Sequence, residues 1–98
     1  MRENKYQSLL ITRIKKEFPG SIVLKNDSSY IQGIPDLTIL HGDRWAVLEV
    51  KNKKGAPEQP NQKHYVKALN EMSYSSFIYP ENEEDVFNEL QSALRSGR

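Results

Sequence analysis

The sequence predicts an α/β fold in which a small sheet is flanked by helices, in the order αβββαβα. Three observations lead there. Apolar residues recur at helical spacing in three segments, short β-type apolar runs lie between them, and clusters of Pro, Gly, Asn and Asp separate the runs. The 98 residues read as one domain, residues 1–98, with room for one modest core and no separate recognition module.

Glu3 to Phe18 reads as a helix, with Tyr6, Leu9, Leu10, Ile14 and Phe18 at helical spacing and Pro19-Gly20 as its stop. Glu3, Gln7, Leu10 and Ile14 share one stripe, so Glu3 stands at the N-terminal end of an inward-facing line. Ser21 to Lys25 is a short strand. Asn26 to Gln32 is polar and turn-rich, a loop or the lip of a site. Pro35–Leu40 and Trp45–Lys51 form a hairpin about His41-Gly42-Asp43-Arg44, with Leu37, Ile39, Ala46, Leu48 and Val50 on one apolar face. After a loop from Asn52 to Gln59, Pro60 suits the first turn of a second helix that runs to about Met72. Tyr65, Val66, Leu69 and Met72 point inward there, and Gln62 lies on the same stripe, toward the sheet. Ser76 to Tyr79 is a fourth strand. Asn82 N-caps a third helix whose first turn, Glu83-Glu84-Asp85, matches the helix dipole. Val86, Phe87, Leu90, Ala93 and Leu94 make its apolar face, and the tail from Arg95 to Arg98 is expected to fray.

Composition narrows the function. No cysteine is present, which excludes disulfides, thiolate zinc sites and cysteine nucleophiles. No apolar run approaches membrane-spanning length, and Met1-Arg2-Glu3-Asn4-Lys5 lacks a signal-peptide core, so a soluble, cytoplasmic protein without membrane partners is expected. The net charge of +1 hides a division along the chain. Basic residues gather in 1–20 and 44–67, and residues 80–91 carry acids alone. A local basic patch is enough to bind phosphate backbones, although a mixed solvated surface fits the same counts.

The chemistry sits in Gly33 to Lys51. Folding the hairpin about its turn sets Asp36 directly opposite Glu49, and a two-residue Gly42-Asp43 turn gives the same register. Strand side chains alternate, so Lys51 joins Glu49 on one face. Two carboxylates and an ammonium therefore converge. Phosphodiester hydrolysis needs an attacking hydroxide, charge relief on the phosphoryl oxygens and help for the leaving oxygen; bound Mg²⁺ or Mn²⁺ supplies all three. Such hard cations take carboxylate and carbonyl oxygens, which Asp36, Glu49 and the Val50 carbonyl offer. Lys51 can orient or deprotonate the water, and Glu3 can reach the metal from its helix. Opposed acids repel unless a cation lies between them. An ordinary ion triad, with Lys51 as that cation and no metal, fits the same spacing.

Pro35-Asp36 followed by Glu49-Val50-Lys51 resembles the signature of the PD-(D/E)XK nucleases, and the whole set resembles the VRR-NUC branch. The residues that carry this likeness are Glu3 with Gln7, Gly33-Ile34-Pro35-Asp36, Glu49-Val50-Lys51, Gly55, Gln62 and the closing FIYPENEEDV segment. Gln59 competes with Gln62 for the family's helical glutamine, and the spacing to Tyr65 and Leu69 favours Gln62. The resemblance implies a restriction-endonuclease-like αβββαβ core with a small mixed sheet. It also implies Mg²⁺-dependent cleavage of DNA by Asp36, Glu49, Lys51, Gln62 and Glu3. Short stand-alone members of this branch are similar to Holliday-junction resolvases and act as homodimers on four-way junctions, so a branched DNA substrate and a homodimer are the expected partners.

Lys25, Lys53, Lys54, Lys63 and Lys67 are candidates for contacting phosphates beside the site, and His64 for a general base. Trp45, Tyr30 and Tyr74 are candidates for stacking on bases. Two other functions remain in view: a less selective nickase or duplex endonuclease working with a partner, and a catalytically silent nucleic-acid-binding module.

Overall fold

The computed structural model describes residues 1–95; the expected fraying of the last three residues lies outside them. The elements are α1 (Glu3–Glu17), β1 (Ile22–Lys25), β2 (Leu37–His41), β3 (Arg44–Val50), α2 (Gln62–Met72), β4 (Tyr74–Ile78) and α3 (Glu83–Ala93), with a 3₁₀ turn at Pro80–Asn82. This is the order that the sequence predicts. The strands form one four-stranded sheet, β1-β2-β3-β4, antiparallel except for the parallel pair β3–β4. That parallel pair is what α2 is for: strands side by side in the same direction need a crossover, and α2 supplies it.

The hairpin register is Leu37 with Leu48, Ile39 with Ala46 and Leu40 with Trp45. Alternation then sorts the sheet into two faces. Leu37, Ile39, Ala46, Leu48, Val50 and Ile78 form one core with Tyr6, Leu10 and Ile14 of α1 and Val86, Phe87 and Leu90 of α3. The other face carries Thr38, Val47, Glu49, Lys51 and Ser75 toward α2, whose Val66 is buried.

A polar clasp joins α1 to α3 over the main core. Tyr6 donates its hydroxyl hydrogen to Glu83 Oε1, and the Arg13 guanidinium bonds Glu17, Glu83 and Glu84. The same guanidinium lies 3.9 Å from the centroid of the Phe87 ring, a cation–π arrangement. The acids of the first turn of α3 thus meet both its own dipole and a cation from α1.

Four expectations need correction. The fourth strand runs from Tyr74 to Ile78 rather than from Ser76 to Tyr79, because pairing with β3 begins at Ala46 with Tyr74 and overrides the low apolar content of Ser75-Ser76. The second helix begins at Gln62 instead of Pro60: Asn61 sits in the left-handed region at φ 72°, which breaks the helical path just before Gln62. Leu9 and Met72 are 51% and 71% exposed, since both stand at the flank or end of stripes narrower than the spacing suggested. Asn82 precedes α3 but does not cap it. Its side chain turns back to β4, accepting from the Tyr79 N–H and donating to the Phe77 carbonyl.

Candidate active site

The site is built where β2 begins and β3 ends. Asp36 lies one residue before β2, so the register that pairs Leu37 with Leu48 carries Asp36 opposite Glu49. Its position is fixed from both sides. The Asp36 carbonyl accepts the Asn26 N–H at 2.8 Å, and its Oδ2 accepts the Val50 N–H at 2.9 Å. Here the ladder bond of Val50 goes to a side chain in place of backbone. The Pro35 carbonyl, next in register, is taken by Asn26 Nδ2, which also bonds Thr38 Oγ1. Asn26 therefore positions the acid. Sequence reasoning left it in a polar loop, and its only signal was an amide just after a strand.

Glu49 is 2% exposed and Lys51 6% exposed, unusual burial for charged residues. Gln62 from α2 completes the polar floor. Its Nε2 donates to Glu49 Oε2 at 2.9 Å, and its Oε1 accepts from Lys51 Nζ at 2.9 Å. Lys51 Nζ also donates to the Pro57 carbonyl at 2.9 Å and lies 3.6 Å from Glu49 Oε2. The amide thus stands between acid and ammonium and holds both in place. Gln59, its rival in the sequence, bonds Gln62 through backbone groups, its N–H donating to Gln62 Oε1 and its carbonyl accepting the Gln62 N–H.

Glu49 Oε1, by contrast, is buried and receives no hydrogen bond. The Asp36 carboxyl stands opposite, and its charge acts on Glu49. Burial, and then the charge of Asp36, push the Glu49 carboxyl up to about 8. Asp36 is also raised by burial, partly offset by its bond from Val50 N–H and by Glu49 and Lys51. Glu3, exposed on the first turn of α1, is raised by partial burial and by Asp36, which places it within the field of the pair.

A buried carboxylate oxygen without a donor, facing a second carboxylate, has two remedies: a proton or a cation. This donor set fits a hard divalent ion. In an extended residue the N–H and C=O point to the same side, so Val50, whose N–H reaches Asp36, directs its carbonyl toward that side as well. Among the described residues no group of three or more His, Cys, Asp or Glu side chains is arranged to hold a metal. Asp36 and Gln62 open onto a cleft of about 330 Å³ bordered by Ser28, Gln32, Gly33 and Gln59.

Gly33 has a second role that its motif did not disclose. It is buried with φ +89°, and a Cβ there would come within 2.6 Å of Asn61 Cβ and 2.7 Å of the Pro60 carbonyl oxygen. Its missing side chain lets the 60–61 turn pack down, and that turn delivers Gln62 to Glu49 and Lys51. Gly33→Ala should therefore lower stability by about 2–4 kcal/mol, since it combines a left-handed residue with a backbone clash. Chemical denaturation measures the loss, and an unchanged midpoint would contradict this packing role.

The expected phosphate contacts are less concentrated. Lys53, Lys54, Lys63 and Lys67 are all exposed, and Lys67 pairs with Glu71 at 3.4 Å. Lys25 pairs with Leu37, which puts it on the α1 face, opposite to Asp36 and Glu49, rather than in the groove. His64 is exposed with its ring edge-on to Tyr65. Tyr30 is exposed, while Trp45 and Tyr74 are half-buried and the Tyr74 hydroxyl bonds Glu89.

Comparison of the chain with protein-family models, with curated proteins and with solved structures returned no match. Among the described residues no helix is long and apolar enough to cross a membrane. The architecture, a mixed four-stranded sheet with three helices, and the side-chain geometry therefore carry the functional argument.

Proposed function

We propose that the protein is a metal-dependent DNA endonuclease with a PD-(D/E)XK type of core, of the VRR-NUC kind, that acts on branched DNA as a homodimeric Holliday-junction resolvase. The observation that carries this reading is the opposed pair of half-buried Asp36 and buried Glu49, with Glu49 Oε1 lacking any donor and Lys51 held beside it by Gln62.

Asp36, Glu49 and the Val50 carbonyl would hold Mg²⁺, with Mn²⁺ able to replace it. When bound, the ion supplies an acidified water and relieves charge on the phosphoryl oxygens. The chain's own residues do the rest. Gln62 keeps Glu49 Oε2 and Lys51 Nζ in fixed positions, so neither reorganises as charge develops. Lys51, nearly sealed from solvent, offers its ammonium to the scissile phosphate or to the attacking water. Glu3 adds a carboxylate at the open side of the pair. The cleft beside Asp36 gives the phosphate a way in.

A two-fold dimer would present two such sites to the symmetric strands of a four-way junction. The described residues leave little room for base reading, which favours recognition through backbone shape. The test is cleavage of an end-labelled four-way junction beside a linear duplex of matching arm sequence, in Mg²⁺ or EDTA. Paired, symmetric, Mg²⁺-dependent cuts on the junction alone are expected. Equal cutting of both would retain the nuclease and remove the junction role. Failure to cut either would contradict the enzyme.

A further inference from the structure

A second cavity, of about 530 Å³, is bordered by Lys51, whose ammonium bonds Gln62 of the carboxylate cleft. Its volume falls within the range usual for small-ligand sites, roughly 300–1,000 Å³. One wall is the 51–58 loop and the other is β4 with Val66 of α2. Phe77 pairs with Glu49 across β3–β4, so its ring stands on the same sheet face as the acids, one strand further out. Tyr79 follows two residues later and lines the same space.

The lining has three kinds of chemistry. Phe77 and Tyr79 supply two aromatic surfaces, both half-buried. Lys53 and Lys54 supply two cations against one acid, Glu58. At the floor, Ser75 is 5% exposed, and its hydroxyl is buried with no hydrogen-bond partner. A buried hydroxyl without a partner destabilises the free protein, so a ligand whose seating turns Ser75 about χ1 to expose and bond its hydroxyl removes a standing cost. A planar ring with polar edges that also bears a phosphate matches all three features together.

We propose that this cavity binds a single unpaired nucleotide, its base against Phe77 and Tyr79, its edge bonded to Ser75 Oγ, and its phosphate at Lys53 and Lys54. The choice of a nucleotide rests on the phosphodiester-cleaving function proposed above. Because Lys51 borders this cavity and also bonds Gln62 in the cleft, a nucleotide seated here lies next to the reacting phosphate. Extruding one base needs the least work where it is already unpaired, as at a branch point or bulge. The pocket would thereby select distorted DNA without reading its sequence.

Two sources could supply the nucleotide, a free mononucleotide or a residue of a strand, and the experiment separates them. In EDTA, dAMP and 2-deoxyribose 5-phosphate are titrated into the protein with amide chemical shifts as the readout. In parallel, a duplex carrying one bulged 2-aminopurine, and the same duplex fully paired, are titrated with fluorescence as the readout. dAMP should shift the amides of residues 53–56 and 75–79 and bind at least about tenfold tighter than the sugar phosphate. Phe77→Leu and Tyr79→Leu should each weaken it by about tenfold. Ser75→Ala should weaken it by about threefold or more while leaving the melting temperature unchanged or higher, an outcome that a merely structural serine would not give. Protein should change the fluorescence of the bulged 2-aminopurine, and Phe77→Leu should abolish that change. A response to dAMP alone would assign the pocket to free nucleotide and overturn the extruded-base role. No dAMP binding up to about 10 mM, or shifts elsewhere, would overturn the site. None of these readouts needs cleavage, so an inactive protein that still binds dAMP would refute the nuclease and keep the pocket.

Discussion

Glu49→Gln is expected to raise the stability of the metal-free protein at pH 8 and to abolish metal-dependent cleavage. Glu49 is buried, one of its oxygens has no donor, and its folded carboxyl is raised from an ordinary 4.5 to about 8. Between those values the folded state holds a proton that the unfolded state has released. Stability from this group is therefore complete below about pH 4.5 and is lost as pH climbs through about 8. Glutamine does not titrate, and its oxygen can keep the bond from Gln62. The gain at pH 8 in EDTA should be about 2–3 kcal/mol after allowance for solvent screening of the pair. It should shrink toward zero near pH 4.5. Cleavage should fall by about a thousandfold or more, because the amide is a poor ligand for a hard cation. Denaturation curves across this pH range, with a cleavage assay, check both halves. A destabilised variant would show that the acid pair is a structural ion triad.

Lys51→Ala should damage both fold and rate, in contrast to Glu49→Gln. The buried ammonium satisfies Pro57 O and Gln62 Oε1 and stands near Glu49 Oε2. Removing it leaves the Pro57 carbonyl without this donor and Gln62 Oε1 with only the Gln59 N–H, a loss of about 1–3 kcal/mol, and takes away the charge that lowers the Glu49 carboxyl. The 51–58 loop, tied down at Pro57, should loosen. Cleavage should drop by about a hundredfold or more while metal affinity stays nearly constant, because Lys51 is no ligand. Lys51→Arg should not restore the rate, since a planar guanidinium cannot bond Pro57 and Gln62 from the position of a compact ammonium. Thermal melts and single-turnover kinetics at saturating Mg²⁺ measure the two effects. Wild-type rates in Lys51→Ala would remove the residue from the mechanism.

The hairpin was legible because alternation admits only one productive register. Burying Leu37, Ile39, Ala46, Leu48 and Val50 on one face forces Asp36, Glu49 and Lys51 onto the other, and a shift by one residue would reverse every side chain. Gln62 was legible for a similar reason, since a helix must turn its Tyr65–Val66 stripe inward. What stayed hidden depends on contacts between distant segments. No local pattern says that the Asn26 amide will hold Pro35 and Thr38, or that Gly33 must lie under Asn61. The strand Tyr74–Ile78 was placed late because Ser75 and Ser76 have weak strand preference, and only the free edge of β3 makes them extend. Lys25 ends a strand beside the polar loop, and that position alone does not reveal its face. Its register with Leu37 turns it to the other face.

The central claim is that Asp36 and Glu49 hold a divalent metal, and a Mn²⁺ titration at pH 8, followed by loss of the free-ion EPR signal, tests it most directly. Wild-type protein should take up Mn²⁺ and release protons as it does so, because the raised Glu49 carboxyl gives up its proton to the metal. Asp36→Ala and Glu49→Gln should bind at least about a hundredfold more weakly while remaining folded. Uptake by wild type that persists in both variants, or no uptake by wild type at all, would contradict the claim.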